Sequence, residues 1–257
     1  MTTDVKVSRV DGAQLLRLAR PEKKNALTGI MYSALCNAIE IGDADSSIAA
    51  HVIIGSGGTF TAGNDLGDFL AASRGTGDLG KDVLRFVRLL PVIRKPVIAA
   101  VDGNAIGIGT TLLFHCDLVY ATPGSTFATP FLDLGLIPEA ASSLLMPMRM
   151  GYARAFEMLA LGEAITAGQA VAAGFVNKIV APEVLEATAL DAARRLARKP
   201  PEALAMARRL MRGDPVDILT RVDAEAAAFR ERLGSPEAIE AFTAFFEKRP
   251  ANFRKSV

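Results

Sequence analysis

Tryptophan is absent from this chain of 257 residues, and histidine and cysteine occur only twice each. Cys36 falls in a helical pattern and Cys116 follows an apolar run; neither has metal-ligand or redox spacing, so both read as small buried hydrophobes. His51 and His115 lie in apolar runs, where a hydrogen-bonded core or edge histidine is the expected role. Neither charge is in excess: 29 Lys+Arg against 28 Asp+Glu leave a net charge of +1, which predicts no broad electrostatic footprint for nucleic acid or an anionic membrane. No apolar run reaches the ~18 residues of a membrane span, and the segment from Met1 to Lys6 lacks a basic region followed by an apolar stretch. The closing Arg254-Lys255-Ser256-Val257 is not the Ser-Lys-Leu address. The expectation is a soluble, cytoplasmic protein without nucleic-acid or membrane partners. Equally absent are a Gly-x-Ser-x-Gly elbow, a His-Glu-x-x-His pair, a Gly-Lys-Ser/Thr phosphate loop and a dinucleotide fingerprint after the first strand, which removes the commonest hydrolase, zinc-protease and nucleotide readings.

What the chain does contain is apolar sequence, 50% of all residues, enough for a substantial core. Val5, Val7 and Val10, then Leu16 and Leu18, flank Asp11-Gly12 and predict a hairpin. Thr28 can cap a helix carrying Met31, Leu35 and Ile39, with Gly42 near its end. Strands are expected at 51–54, 96–101, 118–121 and 176–180, and a helix carrying Val83, Phe86, Val87 and Leu90 is stopped by Pro91. Residues 73–80, with three glycines, predict a mobile loop placed to cover a ligand. Thr166 and Gln169 have capping-box spacing, and Gly174 suits the helix end. Beyond Pro182 the pattern is helical only, with breaks at 199–201, 213–215 and 234–236, where Ser235-Pro236 is a good cap and first-turn pair. The expected organisation is an α/β core with a parallel sheet over 1–182 and a helical region over 183–257.

Two glycine-marked turns, Ala62-Gly63-Asn64-Asp65-Leu66 and Gly107-Ile108-Gly109-Thr110-Thr111, follow strand-like runs and open helices. A backbone N–H at a helix start has no intrahelical partner and sits at the positive end of the macrodipole. Two that converge make a candidate oxyanion hole, with glycine at 63, 107 and 109 letting a ligand approach the main chain; each turn is equally readable as a plain tight turn. Glu139 follows the nearly apolar run 131–138. Its surroundings predict either a desolvated carboxylate with a raised pKa or an acid in a first helical turn. Asp133 is the second candidate, with capping or bracing its loop as the plainer role.

Together these segments resemble the crotonase superfamily of enoyl-CoA hydratases and isomerases, over nearly the whole chain. Arg20-Pro21-Glu22-Lys23-Lys24-Asn25-Ala26-Leu27 is similar to the family's CoA-loop motif, Phe60 to Leu66 to its first oxyanion segment, and Asp102 to Gly109 with Cys116-Asp117 to its second. Leu161 to Ala167 and Ala170 to Val176 resemble its later helical signature. The resemblance implies an α/β spiral of ββα units with a C-terminal helical trimerisation region, and so a homotrimer or dimer of trimers. It implies that the N–H groups of Asn64 and Ile108 hold the thioester oxygen of an acyl-CoA. It also implies CoA-side contacts from Lys24, Ala26, Leu27, Ala62, Asp65 and Leu66, a close approach at Gly107, and an acyl side lined by Phe131, Leu134 and Leu136. Lys24 is either a phosphate partner or a solvated surface charge.

Hydratases of this family use two glutamates, at positions that here hold Thr111 and Phe131. The run from Ala128 to Phe131, followed by Pro138-Glu139-Ala140-Ala141-Ser142-Ser143, instead resembles peroxisomal-type 3,2-enoyl-CoA isomerases, in which the glutamate of Pro-Glu is the single base. The implied activity is a 3-to-2 shift of an enoyl-CoA double bond in fatty-acid oxidation, with Glu139 as base and no metal or redox cofactor, since coenzyme A belongs to the substrate. A hydratase, a thioester hydrolase and a non-catalytic acyl-CoA-binding member are the rivals.

Overall fold

The computed structural model describes residues 3–68 and 79–253. It opens with β1 (Val5–Val10) and β2 (Ala13–Leu18), antiparallel with Val5 opposite Leu18. Asp11 and Gly12 have φ of 48° and 81°, the positive pair that matches the twist of a two-residue hairpin. Helix α1 (Gly29–Ala44) starts where the Thr28 side chain accepts the Met31 N–H at 3.4 Å. Gly42 lies near its end as expected, and a Cβ there would lie 2.4 Å from Gln14 Oε1, so the glycine also makes room for a buried amide. That amide donates to the Ala38 carbonyl at 2.9 Å and meets His51 Nδ1 at 2.8 Å, while His51 Nε2 meets Asp43 at 3.1 Å; His51 is the bonded core histidine expected.

β3 (Ala50–Gly55), α2 (Leu79–Leu89) and β4 (Val97–Val101) follow. The main sheet is completed by β6 (Leu118–Ala121) and β9 (Lys178–Ile179), in the order β1-β2-β3-β4-β6-β9, parallel after the first pair. Parallel strands are covered on both faces, which is why they read as continuous apolar runs. Leu16, Ile53, Ala99 and Val119 face the main core, and the alternate residues Leu15, Val52, Ile98 and Ala100 pack under α7 (Pro182–Ala197) through Leu185, Ala189 and Ala193. β5 (Asn104–Ile106), β7 (Thr126–Ala128) and β8 (Ile165–Thr166) make a second sheet.

Three expectations change. Pro91 does not end the turn but sits in a 3₁₀ segment, Leu90–Val92, that continues α2. β9 is shorter than 176–180: Asn177 donates its N–H to the Val119 carbonyl at 2.8 Å but accepts the Val119 N–H with its side chain, at 2.7 Å, rather than with its main chain. Leu79 and Gly80 open α2, while residues 73–78 of the expected loop lie outside the described residues, as do 254–257.

Short helices α3 (Ile108–Thr111), α4 (Ser142–Met150), α5 (Tyr152–Ala160) and α6 (Ala167–Ala172) connect the sheets, the last opened by the expected capping box. In the tail, α7, α8 (Pro201–Arg212), α9 (Pro215–Leu233) and α10 (Pro236–Glu247) each begin with proline, whose missing N–H costs nothing in a first turn. The tail joins the main core through Val222, Ala238 and Phe242, and buried Arg208 grips both oxygens of Asp117 at 2.9 and 3.0 Å. Among the described residues no helix is long and apolar enough to cross a membrane.

Candidate active site

The CoA-loop segment is organised by Asn25, fully buried at φ 54°. Its Oδ1 accepts the Arg20 N–H at 2.9 Å, and its amide donates to the Ser56 and Thr59 carbonyls at 2.9 and 2.7 Å. Asparagine tolerates the left-handed conformation that the preceding Lys24 also adopts, at φ 51°. From here the main chain zips onto the first glycine turn: Ala62 N–H to Lys24 carbonyl, Leu27 N–H to Gly63 carbonyl and Asp65 N–H to Leu27 carbonyl, at 2.9, 2.8 and 3.0 Å.

The two glycine turns lock into each other. Thr61 donates its N–H to the Asn104 carbonyl and accepts the Ile106 N–H, both at 3.0 Å. A Cβ on Gly63 would stand 2.8 Å from the Ile106 carbonyl oxygen, and one on Gly109 would stand 2.5 Å from Thr61 Cγ2. Gly63 and Gly109 therefore serve contact between the turns rather than room for a ligand. Gly107, at φ 56° and ψ −120°, has nothing within 3.8 Å of an added Cβ, the nearest atom being Phe131 Cε1 at 3.9 Å. Among the described residues, the N–H groups of Asn64 and Ile108 meet no acceptor. The buried Tyr32 hydroxyl donates to Asn64 Oδ1; burial first, then the charges of Glu139 and Cys36, hold its pKa well above the ordinary value, so it remains a donor.

Glu139 is 8% exposed and lies ahead of α4 rather than in its first turn, since the helix starts at Ser142. The following Ala140 and Ala141 both have φ 56°, a conformation costing roughly 1–2 kcal/mol for each non-glycine residue. Oε1 accepts the Thr111 hydroxyl at 2.6 Å, and Oε2 is buried without a partner among the described residues. Burial pushes the Glu139 pKa up to about 8, opposed by the Thr111 bond and reinforced by the charge of Glu225. His115 is only half satisfied, against expectation: Nε2 donates to the Ala140 carbonyl at 2.7 Å, Nδ1 has no partner, and burial lowers its pKa to about 4.

Three hollows share Asn64 in their lining. Glu139 and Asn64 line an inner cavity of about 100 Å³ with Val83, Leu84, Phe229 and Arg230. A second of about 50 Å³ is lined by Asn64, Gly107, Phe131, Leu134 and Leu136. An outer cleft of about 740 Å³ holds Lys24, Ala26, Ala62, Asp65, Leu66 and the exposed Asp133. Asp65 lines the cleft with its carboxylate engaged by Arg20 at 2.8 Å and by the Gly67 N–H at 3.0 Å; despite desolvation, these bonds hold its pKa below the ordinary value. The side chains of Leu27 and Ile108 are buried in the core, so both reach the site through main chain alone. Sequence reasoning passed over Thr61, Tyr32 and Glu225. Tyr32 carried a signal, a hydroxyl on the core face of α1; Glu225 carried none.

Residues 9–256 match the family model described as enoyl-CoA hydratase/isomerase. The rat enoyl-CoA delta isomerase 2 is 36% identical over 249 residues, 95% of this chain, and the chain spans 63% of that protein's length. The 2,3-dehydroadipyl-CoA hydratase of Escherichia coli strain K12 is 32% identical over 249 residues, 96% of this chain and 97% of the relative. The crystal structure of an enoyl-CoA hydratase/isomerase from Pseudoalteromonas atlantica T6c aligns with a TM-score of 0.92 at 38% identity, covering 98% of this chain and all of that one.

Proposed function

The chain belongs to the enoyl-CoA hydratase/isomerase family and has its crotonase-type α/β fold, and on that premise we propose that it is an enoyl-CoA isomerase converting a 3-enoyl-CoA to the 2-enoyl-CoA in fatty-acid oxidation. The observation that carries this reading is the single carboxylate of the inner cavity. Glu139 has one oxygen tied to Thr111 and the other buried and unpartnered, and no second acid lines that cavity among the described residues. Hydration requires a second group to position water, and Asp133 belongs to the outer cleft instead.

In the proposed reaction Glu139 Oε2 takes a proton from C2, the C2–H electron pair becomes the C2–C3 double bond, and the former C3–C4 π pair takes the proton back at C4. The intermediate is a dienolate with its charge on the thioester oxygen. The N–H groups of Asn64 and Ile108 hold that oxygen, and a donor of this kind lowers a barrier by about 3 kcal/mol. A base with a pKa of about 8 suits proton transfer near neutrality. Tyr32 fixes the Asn64 side chain beside the N–H that acts.

Lys24, Ala26, Ala62 and Leu66 make the CoA side, joined by main chain of Leu27 and Asp65, while Phe131, Leu134 and Leu136 contact the acyl chain. The route uses no metal or redox cofactor, because coenzyme A is part of the substrate. A homotrimer or dimer of trimers and a cytoplasmic location complete the proposal; exposed Leu210, Met211 and Met148, at 81%, 79% and 73%, support burial between copies. Light scattering should give three or six chains per particle, and a monomer overturns the assembly. The deciding measurement follows 3-enoyl-CoA and 2-enoyl-CoA spectroscopically. Conversion of the first to the conjugated product is expected, whereas hydration of the second alone, release of free thiol, or binding without turnover each selects a rival.

A further inference from the structure

Glu139 is presented by a turn that local sequence does not favour. Ala140 and Ala141 stand consecutively in the left-handed region without the freedom of glycine. What faces this turn comes from α9, more than 80 residues away: Glu225 Oε2 accepts the Ala141 N–H at 2.6 Å, and Oε1 accepts the Ser143 N–H at 3.0 Å and its hydroxyl at 2.5 Å. Three donors converge on one buried side chain, an arrangement that only an acceptor-only carboxylate satisfies completely. Anchoring α9 does not need this charge, since Val222 on the same helix is already in the core. From the other side His115 holds the Ala140 carbonyl and is itself held through its own carbonyl by Arg212 of α8 at 3.0 Å.

We propose that Glu225 is a positioning residue for the proton-transfer step, clamping the strained Ala140 and Ala141 turn so that Glu139 Oε2 faces the inner cavity while Thr111 holds Oε1. This rests on the reading of Glu139 as the base. The tail thereby sets the geometry of a carboxylate it does not itself contain. The charge of Glu225 also acts on Glu139, raising its proton affinity. Among the described residues, the other polar or charged groups around the pair are Thr111, Tyr32, Asn64 and Arg230 about Glu139, and Ser143 and Arg221 about Glu225.

The test uses the full chain with Glu225→Gln, which keeps size but loses the charge and one acceptor, and Glu225→Asp, which keeps the charge but falls short of the turn. kcat and KM for a 3-enoyl-CoA are measured across pH, with the Kd of a saturated acyl-CoA and with Glu139→Gln alongside. Both variants should lose about tenfold or more in kcat while acyl-CoA binding stays within about twofold, as expected for a misplaced catalytic group. The pH midpoint of kcat should move down in Glu225→Gln and stay in place in Glu225→Asp. Wild-type kcat and midpoint in a folded Glu225→Gln, or a loss confined to KM, overturns the inference. If Glu225→Gln does not fold, wild-type kcat in Glu225→Asp overturns it equally. Activity surviving in Glu139→Gln brings down the base assignment first, and the role of Glu225 with it; an inactive Glu139→Gln beside a wild-type Glu225→Gln removes the positioning role alone.

Discussion

The glycine turns at 63 and 107 and the turn after Glu139 line two hollows that share Asn64 but are made by opposite means. The first two carry glycines, Gly63 and Gly109, where a side chain would strike the other turn, and their main-chain bonds run among residues 24–27, 61–65 and 104–111 and to the Ala128 carbonyl. The third places two alanines at φ 56° and holds them with Glu225 and His115 from other parts of the chain. The glycine turns carry no side chain at Gly63 and Gly109 and bond to each other through main chain. A strained turn persists only while the surrounding structure over-determines it, so the proton-transferring group depends on the helical tail in a way the oxyanion donors do not.

The sharpest way to break this comparison is to remove the carboxylate. Glu139→Gln should lower kcat by about 100-fold or more, the scale of a lost general base, with saturated acyl-CoA binding retained; a variant keeping above a tenth of wild-type kcat ends the single-base mechanism and turns attention to Asp133. Next comes Ile108→Pro, which deletes a main-chain donor. It should cost about 100-fold in kcat while Ile108→Val stays near wild type, and equal rates in two variants shown by circular dichroism to be folded would sink the assignment of Ile108.

A smaller effect sharpens the contrast between turns. Gly63→Ala puts a methyl 2.8 Å from the Ile106 carbonyl at φ 86° and should destabilise by about 1–3 kcal/mol in urea unfolding. Ala141→Gly relieves φ 56° and should stay within about 1 kcal/mol of wild type, relief of strain being offset by the greater freedom of the unfolded chain. Matching losses in the two would mean that the turns are not built differently.

The remaining test is a linkage. Folding raises the Glu139 pKa from 4.5 to about 8, so the folded state binds the proton more tightly. Its contribution to stability is full below pH 4.5 and is lost as pH rises through the folded value. Glu139→Gln does not titrate, and its Tm relative to wild type should therefore climb between pH 5 and pH 8. A flat difference would show that Glu139 is not desolvated in the folded chain.

Much of this molecule is legible in its sequence because the causes are local. Asp11-Gly12 determines a hairpin, Thr28 and Ser235 open helices, the reciprocal Thr166 and Gln169 cap forms as expected, and the continuous apolar runs become strands covered on both faces. The family resemblance also singles out the Asn64 and Ile108 N–H groups, which meet no acceptor among the described residues. The packing roles of Gly42, Gly63 and Gly109 were not legible, because Gly42 and Gly109 answer to distant side chains, Gln14 and Thr61, and Gly63 to the distant Ile106 carbonyl, none of which shares a window of sequence with it. Glu139 could be nominated from its apolar approach, yet its chemistry was decided only in three dimensions. Whether that carboxylate would sit in a helical turn or in a mostly apolar cavity, and which oxygen it would leave free, depended on Thr111, His115 and Glu225 arriving from separate elements. Desolvation and strain are properties of what surrounds a residue, and only the folded chain supplies those surroundings.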